Sequence, residues 1–477
     1  MWIKEIATYG HDSVREYILI YKLIHFGEII YRGPDFSVIW GFLSPIYYYI
    51  IAPVILIGRF HPLSLPIFTL IINLFTLILI IYVLNKTINF KTAIIGGVLY
   101  GFSFIVILQA AYGLNPNLMP IWSILLVISI YKILNNSINY YSVVGLGISI
   151  SMLLSFHPSG LFIIPGLLAL FIINYKGIKL NKKYILVFFI TIFIFLIVPY
   201  SIQEKKFNYW TIKQTIKYVQ SSQDNTEDLN DGFINSIVVI SKNTTNSIFL
   251  VNSNLSVIFF AILFILLIRD NYLYFKTKEN KSFKLQIAVL LLFYIITFVI
   301  IVPFKTRDLY EWWFHTVYIP IITLYISIYI GRILNKYSIF VFSILYLALN
   351  IHLFLEHVPE VDSYMGTHLR ALVISQHINE YVNDYQNDNN YTRFKILGSS
   401  YKPFNYDLWY NENDSTKKQK YLEHLIWDID QQYNILFYVE SNEFMDAKRI
   451  RDTKVRHGLE NVKNIYTDEK GSVFKFY

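Results

Sequence analysis

Residues 65–84 read LPIFTLIINLFTLILIIYVL, and residues 248–268 read IFLVNSNLSVIFFAILFILLI. Each run supplies the roughly 20 apolar residues that an α-helix needs to cross about 30 Å of hydrocarbon. Over the 477 residues of the chain, 55% are hydrophobic and only 16% are charged, whereas soluble domains contain about 25% charged residues. The sequence therefore predicts an integral membrane protein.

Similar apolar stretches elsewhere predict an all-α polytopic membrane protein with about eleven transmembrane helices. The predicted spans are residues 44–58, 65–84, 92–112, 118–134, 141–156, 159–174, 184–200, 248–268, 285–304, 316–331 and 338–355. Fifteen Lys or Arg residues lie in the loops 59–64, 85–91, 132–140, 175–183, 269–284 and 332–337. Only seven lie in the loops 113–117, 157–158, 201–247 and 305–315. Because Lys and Arg mark the cytoplasmic side, the first set of loops is predicted to be cytoplasmic and the protein to lie in the plasma membrane.

The more polar segments are then predicted to be extracytoplasmic. Residues 1–43 form a first loop, residues 44–355 a transmembrane domain, and residues 356–477 a small α/β domain. Strand-like runs in this last segment lie at 393–398, 434–440 and 473–477, with helix-like stretches at 362–384 and 416–429. Since no hydrophobic helix precedes residues 1–43, a first helix upstream of Met1, and twelve spans in the intact protein, are expected.

Composition excludes several classes of function. The chain has no cysteine, so a disulfide framework, a thiolate nucleophile and a Cys-ligated metal are excluded. Much of its net charge of +8 lies in short loops between spans, so no nucleic-acid partner is predicted. The main polar residues within the spans are Asn73, Gln109, Asn350 and His352. An ion-coupled transporter would carry carboxylates at this depth, so transport is disfavoured.

The first outer segment contains a candidate for catalysis. Residues 10–27, GHDSVREYILIYKLIHFG, are typical of an amphipathic helix along the membrane surface, ended by Gly27. Asp12 lies at the start of this helix. It either faces a substrate or only favours the positive helix end. Glu16 has the spacing of a capping box with Ser13.

The next segment, residues 27–58, contributes two candidates for substrate binding. Arg32 is its only Lys or Arg residue, and a guanidinium group binds phosphate well. Tyr47 begins the run Tyr47–Tyr49, which forms either part of the site or an ordinary interfacial aromatic belt.

Two tight outer turns, YGLNPNLMP at 112–120 and SFHPSG at 155–160, add two more candidates. Asn115 either binds substrate or satisfies backbone groups that the nearby prolines leave without partners. His157 lies at the membrane boundary, where it either contributes to the site or serves as a packing or capping residue.

The outer loop PFKTRDLYEWWFHTVYIP at 303–320 concentrates charge. Lys305 and Arg307 are candidates for binding a lipid phosphate. Glu311 and His315 fall on one helical face and are candidate ligands for a divalent metal. The alternative for this loop is an ordinary interfacial anchor. No HExxH, Walker or GxSxG motif is present, so zinc proteolysis and phosphate-loop chemistry are disfavoured.

These outer elements resemble the GT-C superfamily of glycosyltransferases that use polyprenyl-phosphate sugars, such as the protein O-mannosyltransferases and the lipid A aminoarabinose transferase. The resemblance covers roughly residues 10–330. It depends on the order of five segments: HDSVREYILIYKLIHFGEIIYRGP, SPIYYYIIAPVILIG, NPNLMP, FHPSGLFIIPGLL and TRDLYEWWFHTVYIP. Relatives often have an Asp-Glu pair in the first outer loop. In this chain Asp12 is followed by Ser13, with Glu16 one turn later.

The resemblance implies transfer of a sugar from a polyprenyl phosphate to a hydroxyl of a lipid, glycan or protein acceptor on the outer face, with inversion. Asp12 matches the family's general base. Basic groups stabilise the leaving phosphate, and Arg32, Lys305 and Arg307 are the candidates. Glu16, Tyr47, Asn115 and His157 complete the expected site. Some relatives bind a divalent metal and others bind none.

Two other hypotheses for the function are also compatible with the sequence. A polysaccharide polymerase or a flippase for lipid-linked glycans is also a multi-span protein with basic outer loops. A catalytically inactive GT-C-like scaffold is the second alternative. The polar C-terminal segment and the order of the outer motifs favour the transferase.

Overall fold

The computed structural model describes residues 11–36, 41–111, 113–178, 181–221, 253–277, 282–301, 316–365, 394–398, 435–441, 462–467 and 471–476. Most of these residues are helical. The first elements are α1 (His11–Phe26), the short strands β1 (Asp35–Phe36) and β2 (Gly41–Phe42), α2 (Ile46–Ile57), α3 (Ser64–Thr87), α4 (Phe90–Gly101) and α5 (Phe104–Ala111). A 3₁₀ turn (Asn115–Leu118), α6 (Met119–Leu134), α7 (Tyr140–Phe156), a second 3₁₀ turn (Pro158–Ile163) and α8 (Ile164–Asn174) follow.

The second half of the described bundle is helical as well. It contains α9 (Lys182–Ile192), a π-helical turn (Phe193–Ile197), α10 (Val198–Lys206), α11 (Trp210–Ser221), α12 (Ser253–Thr277), α13 (Phe283–Ile301), α14 (Tyr318–Ile333) and α15 (Lys336–Met365). The chain ends with β3 (Phe394–Gly398), β4 (Ile435–Ser441), β5 (Val462–Thr467) and β6 (Gly471–Phe476).

Length and composition identify the helices that can cross a membrane. Four helical segments of the described chain are long and apolar enough, or five when α4 and α5, which bend by 59°, are taken as one span. Six shorter apolar helices, among them α2, accompany them. The general prediction of several apolar membrane helices is confirmed.

Two turns mark one end of the bundle, which we call the upper end. The amide Nδ2 of Asn115, after α5, donates to the carbonyl oxygen of Phe156, the last residue of α7. The ring of Tyr47, at the start of α2, lies 5.8 Å from the ring of Phe156, measured between centroids. The start of α2 is therefore at the upper end.

The far end of α2 lies at the upper end as well. The hydroxyl of Tyr17 in α1 is 3.1 Å from the carbonyl oxygen of His61 and 3.0 Å from that of Pro62. The same hydroxyl accepts from the backbone N–H of Leu65. A Cβ atom on Gly113, in the upper turn, would lie 2.5 Å from Cβ of Leu65.

Helix α2 therefore does not cross the bundle. The apolar run at 44–58 predicts a span, and the loop 59–64 is predicted to be cytoplasmic. In the structure, that loop lies with α1 and the upper turns instead. The hydrophobicity of α2 misled the prediction, because 12 residues at 1.5 Å each reach only about 18 Å.

Two of the polar residues within the apolar helices, Asn73 and Asn350, have hydrogen-bond partners. The Tyr100 hydroxyl donates to Asn73 Oδ1 at 2.8 Å, and Asn73 Nδ2 donates to the Thr69 carbonyl. At the break between α4 and α5, the backbone N–H of Phe104 donates to Asn350 Oδ1 at 2.9 Å. These amides satisfy groups that would be costly to leave unpaired in hydrocarbon, so they support the bundle.

A buried carboxylate joins three helices at the opposite, lower end. Asp270 of α12 is fully buried. It accepts hydrogen bonds from Lys284 of α13 at 3.0 Å and from Tyr325 of α14 at 2.9 Å. Tyr329 and the half-exposed Arg269 also donate to it. These contacts connect α12, α13 and α14 through one charged group.

The C-terminal strands form a four-stranded sheet in the order β3-β4-β6-β5. Strand β3 is parallel to β4, whereas β4 with β6 and β5 with β6 are antiparallel. The strand-like runs at 393–398, 434–440 and 473–477 correspond to β3, β4 and β6, and β5 is additional. The helix-like stretch at 416–429 lies outside the described residues, as does most of that at 362–384.

Candidate functional site at the upper end

Helix α1 brings a fully buried carboxylate to the upper end. Helix α1 runs over His11–Phe26, within the predicted range 10–27, and Gly27 follows with a φ of +68°; its position along the membrane surface stays a prediction. Glu16 has no exposed surface, and its Oε2 accepts from the Tyr47 hydroxyl at 2.8 Å. The capping-box prediction is wrong because Ser13 is already the third residue of the helix.

Asp12 lies in the first turn of this helix, four residues before Glu16. This is a spacing at which two helical positions share one side. The assignment of Asp12 as a base stays a prediction.

The tyrosine run at the start of α2 is largely buried. Tyr47 and Tyr48 each retain 1% exposure, while Tyr49 is 42% exposed and donates to the Ile30 carbonyl at 3.0 Å. A membrane-surface belt would leave all three rings at the lipid boundary. Only Tyr49 fits that description, so Tyr47 and Tyr48 contribute to the interior of the upper end.

Two arginines meet one carboxylate beside this tyrosine cluster. Arg15 of α1 contacts Asp35 Oδ2 at 3.0 Å, and Arg32 contacts Oδ1 of the same side chain. Arg32 also lies over the Phe42 ring, 4.2 Å from its centroid. Arg32 is among the predicted site residues, whereas Arg15 and Asp35 are not. Because the Arg15–Asp35 contact joins positions twenty residues apart, no local periodicity predicts it.

The segment that carries Arg32 is held by a side chain from α10. Gln203 is fully buried. Its Oε1 accepts from the backbone N–H of Gly33 at 2.9 Å, and its Nε2 donates to the Phe42 carbonyl at 3.4 Å. One amide therefore bridges both sides of the β1–β2 hairpin. The contact of Gln203 with this hairpin could not be predicted from the sequence, because 170 residues separate Gln203 from Gly33.

We expect replacement of Gln203 by Ala to loosen the hairpin and to destabilise the protein by about 1–3 kcal/mol. The substitution leaves the buried Gly33 N–H without its acceptor, and an orphaned group of this kind costs about that much. The free energy of unfolding of purified protein in micelles is the measurement. The exposed Gln220→Ala is the matched control and should lose little. Equal stability in all three proteins would contradict the bridging role.

Gly33 has a second, steric constraint. A Cβ atom at this position would lie 2.0 Å from the carbonyl oxygen of Leu43 and 2.6 Å from the carbonyl carbon of Ser44. Both neighbours are backbone atoms, so the loop itself must move to admit any side chain.

Replacement of Gly33 by Ala is therefore expected to destabilise the protein by about 1–3 kcal/mol, as overpacking usually does. The clash requires the backbone to separate by about 1 Å. The matched control is Gly177→Ala in the loop after α8, where the nearest atom would lie 3.5 Å from the new Cβ. The free energy of unfolding is the measurement, and equal stability of the two variants would contradict the close approach of this loop to Leu43.

In the two upper turns, His157 and Asn115 make structural contacts. His157 is buried, and its Nδ1 accepts from the Ser159 N–H, which caps the 3₁₀ turn that follows. Burial lowers the pKa of His157, in the turn between α7 and α8, to about 3. The ring is therefore neutral at physiological pH and offers no positive charge to a phosphate. His157 therefore caps its turn and Asn115 joins the two turns, while their assignment to substrate binding stays a prediction.

The charged loop of the sequence analysis lies outside the described residues. Lys305, Arg307, Glu311 and His315 all fall between residues 302 and 315, so their roles stay predictions. Among the residues that the structure does describe, no group of three or more His, Asp or Glu side chains could hold a metal ion.

The fold matches solved structures of two kinds of membrane enzyme. ArnT from Cupriavidus metallidurans bound to undecaprenyl phosphate has a TM-score of 0.58 at 8% identity, and the match covers 99% of this chain and 95% of that one. The apo state gives 0.60 at 10% identity with the same coverage. An oligosaccharyltransferase from Archaeoglobus fulgidus, in complex with Zn and sulfate, gives 0.50 at 14% identity, covering 94% of this chain and 66% of that one.

These likenesses define the class of the protein. The chain is a multi-pass membrane protein with a GT-C-like fold, as the ordered outer motifs predicted. Its architecture is similar to that of ArnT over almost the whole length of both chains. No protein-family profile and no curated protein matches the sequence.

Proposed function

We propose that this protein is a membrane glycosyltransferase. It moves a sugar from a polyprenyl-phosphate donor to an acceptor hydroxyl at the extracytoplasmic membrane surface, with inversion at the anomeric carbon. The observation that carries the proposal is the match of the entire chain to ArnT bound to undecaprenyl phosphate. The packing of α1 onto α2 through Glu16 and Tyr47 at the upper end supports it.

The chemistry assigns separate roles to acidic and basic groups. Asp12 takes the proton of the acceptor hydroxyl as its oxygen attacks the anomeric carbon. The bond from that carbon to the phosphate oxygen breaks on the opposite face, and the polyprenyl phosphate leaves with the bonding electrons. Arg32, together with Lys305 and Arg307, stabilises the negative charge that develops on the leaving group. A lipid, a glycan or a protein supplies the hydroxyl.

Glu16 and Tyr47 have a supporting role in this proposal. A buried carboxylate that accepts a 2.8 Å hydrogen bond from a buried phenol orients both side chains. This contact holds the first turn of α1, with Asp12, against the start of α2. A divalent metal near Glu311 and His315 would add further positive charge near the phosphate.

The upper end is assigned to the extracytoplasmic side by the charge of the loops. Lys and Arg concentrate in the loops of the opposite, lower end, and this bias marks the cytoplasm. Moving Arg59 to the upper set, as the geometry of α2 requires, leaves fourteen basic residues in the lower loops against eight. The orientation therefore stays the same.

A transfer assay tests the proposal. The full chain in liposomes is supplied with undecaprenyl-phosphate sugars labelled in the sugar, one sugar at a time, and with an envelope extract as acceptor. We expect labelled sugar to leave the lipid and undecaprenyl phosphate to accumulate, with no turnover of a nucleotide sugar.

The same assay separates the alternatives. A flippase would carry the labelled lipid across the bilayer with its sugar–phosphate bond intact. A scaffold would bind the lipid without either change. Either result, obtained with every donor sugar, would overturn the transferase proposal.

A further inference from the structure

Asp35 is held by two cations that come from different elements. Arg15 extends from α1 and places Nη1 3.0 Å from Oδ2 of Asp35. Arg32, three residues before Asp35, contacts Oδ1 through Nη2. Each guanidinium group thus takes one oxygen of the same carboxylate.

This arrangement has the chemistry of an anion site. Guanidinium groups bind carboxylate and phosphate oxygens with the same planar geometry, so a pair of Arg side chains around a carboxylate also suits a phosphate. The site is only partly exposed. Side-chain exposures are 20% for Arg15, 51% for Arg32 and 43% for Asp35. A lipid phosphate at the membrane surface can therefore reach it.

We infer that Arg15 and Arg32 bind the phosphate of the lipid donor and that Asp35 is an internal competitor for both guanidinium groups. This inference rests on the proposed function for the identity of the anion. The donor displaces the Asp35 carboxylate on binding, and the carboxylate returns to the two arginines when the lipid leaves.

The competition matters most for product release. A polyprenyl phosphate freed of its sugar is a monoester with a second ionisation near pH 6, so it carries more negative charge than the diester donor. Two arginines alone would therefore hold the product more tightly than the substrate. Asp35 competes with the donor and with the product alike, so it leaves this difference unchanged but weakens the binding of the product and speeds its departure.

Binding of undecaprenyl phosphate to the full-length protein in nanodiscs tests the inference without any transfer reaction. We expect Asp35→Asn to tighten binding roughly two- to tenfold, because two exposed ion pairs no longer have to be broken. Arg15→Gln and Arg32→Gln should each weaken it by roughly tenfold or more. The exposed Lys213→Gln and Glu28→Gln serve as charge-matched controls and should leave affinity unchanged.

The direction of the Asp35→Asn effect separates competition from a structural role. If Asp35 only held the loop in place, its removal would weaken binding, and that result would overturn the inference. In the double variant Arg15→Gln/Asp35→Asn, most of the gain should disappear because one of the two contested cations is gone. A gain that persists in full would also overturn it.

Two further outcomes identify the anion and separate this inference from the proposed function. Inorganic phosphate should compete only weakly with undecaprenyl phosphate for the site. If inorganic phosphate binds as tightly as the lipid, the ligand is a free phosphate rather than a lipid headgroup, and the inference fails. If Asp35→Asn binds the lipid more tightly but the parent protein transfers no sugar, only the proposed function is overturned. Transfer by the parent protein with no tightening would overturn this inference alone.

Discussion

Replacement of Asp12 by Asn is expected to lower the rate of sugar transfer by about a hundred- to ten-thousandfold, the range that general base catalysis contributes. Asparagine has nearly the same shape as aspartate but cannot accept a proton from the acceptor hydroxyl. Position 12 lies in the first turn of α1, so the substitution leaves the helix and its buried contacts in place.

The kinetic signature should identify the role of Asp12. A base acts on the acceptor in the transition state, so kcat should fall while affinity for undecaprenyl phosphate stays close to that of the parent protein. The control is Glu28→Gln, which neutralises an exposed carboxylate of the same outer segment and should transfer sugar normally. Transfer at the parent rate by Asp12→Asn would refute the assignment of the base.

Replacement of Asp270 by Asn is expected to destabilise the bundle by about 3–5 kcal/mol, which is the usual result of removing one partner of a buried ion pair. Asp270 is fully buried, and Lys284 beside it keeps only 9% of its side-chain surface exposed. Without the carboxylate, the Lys284 ammonium loses its counter-charge in a low-dielectric environment. The amide keeps only one oxygen, so either Lys284 or the hydroxyls of Tyr325 and Tyr329 lose their present acceptor as well.

Two related variants make this prediction specific. Removing both charges in Asp270→Asn/Lys284→Met should restore part of the lost stability, because no uncompensated charge stays buried. Arg269→Gln should cost at most about 1 kcal/mol, since Arg269 is half exposed although it contacts the same carboxylate. The free energy of unfolding in mixed micelles is the measurement. Equal losses in all three variants would contradict the role assigned to burial.

The local pattern of the sequence was sufficient for the class of fold and for individual elements. Continuous apolar runs, such as residues 65–84, predicted membrane helices, and α3 runs over Ser64–Thr87. Spacing at a helical period predicted α1, with Gly27 at its end. Strand-like runs predicted β3, β4 and β6. Each of these features depends on residues close together in the chain, because helical and strand periods are local properties.

The outer motifs also determined part of the candidate site. Their order indicated the GT-C-like fold and placed Glu16 and Tyr47 in one region, where the structure joins them by a hydrogen bond. Hydrophobicity alone was misleading for residues 44–58. A short apolar helix that stays at one end of the bundle has the same composition as one that crosses a membrane. The contacts of Tyr17 with the following loop distinguish the two cases.

Tertiary structure alone decided the polar contacts that cross the fold. Arg15 reaches Asp35 over 20 positions, Gln203 reaches Gly33 over 170, and Asp270 meets Tyr329 over 59. A single Arg, Gln or Asp carries no periodic signal that identifies its partner, so the sequence could not predict these pairs. Burial makes the pairing necessary, since a polar group removed from water is costly without a partner, and packing of distant helices determines which partner it meets.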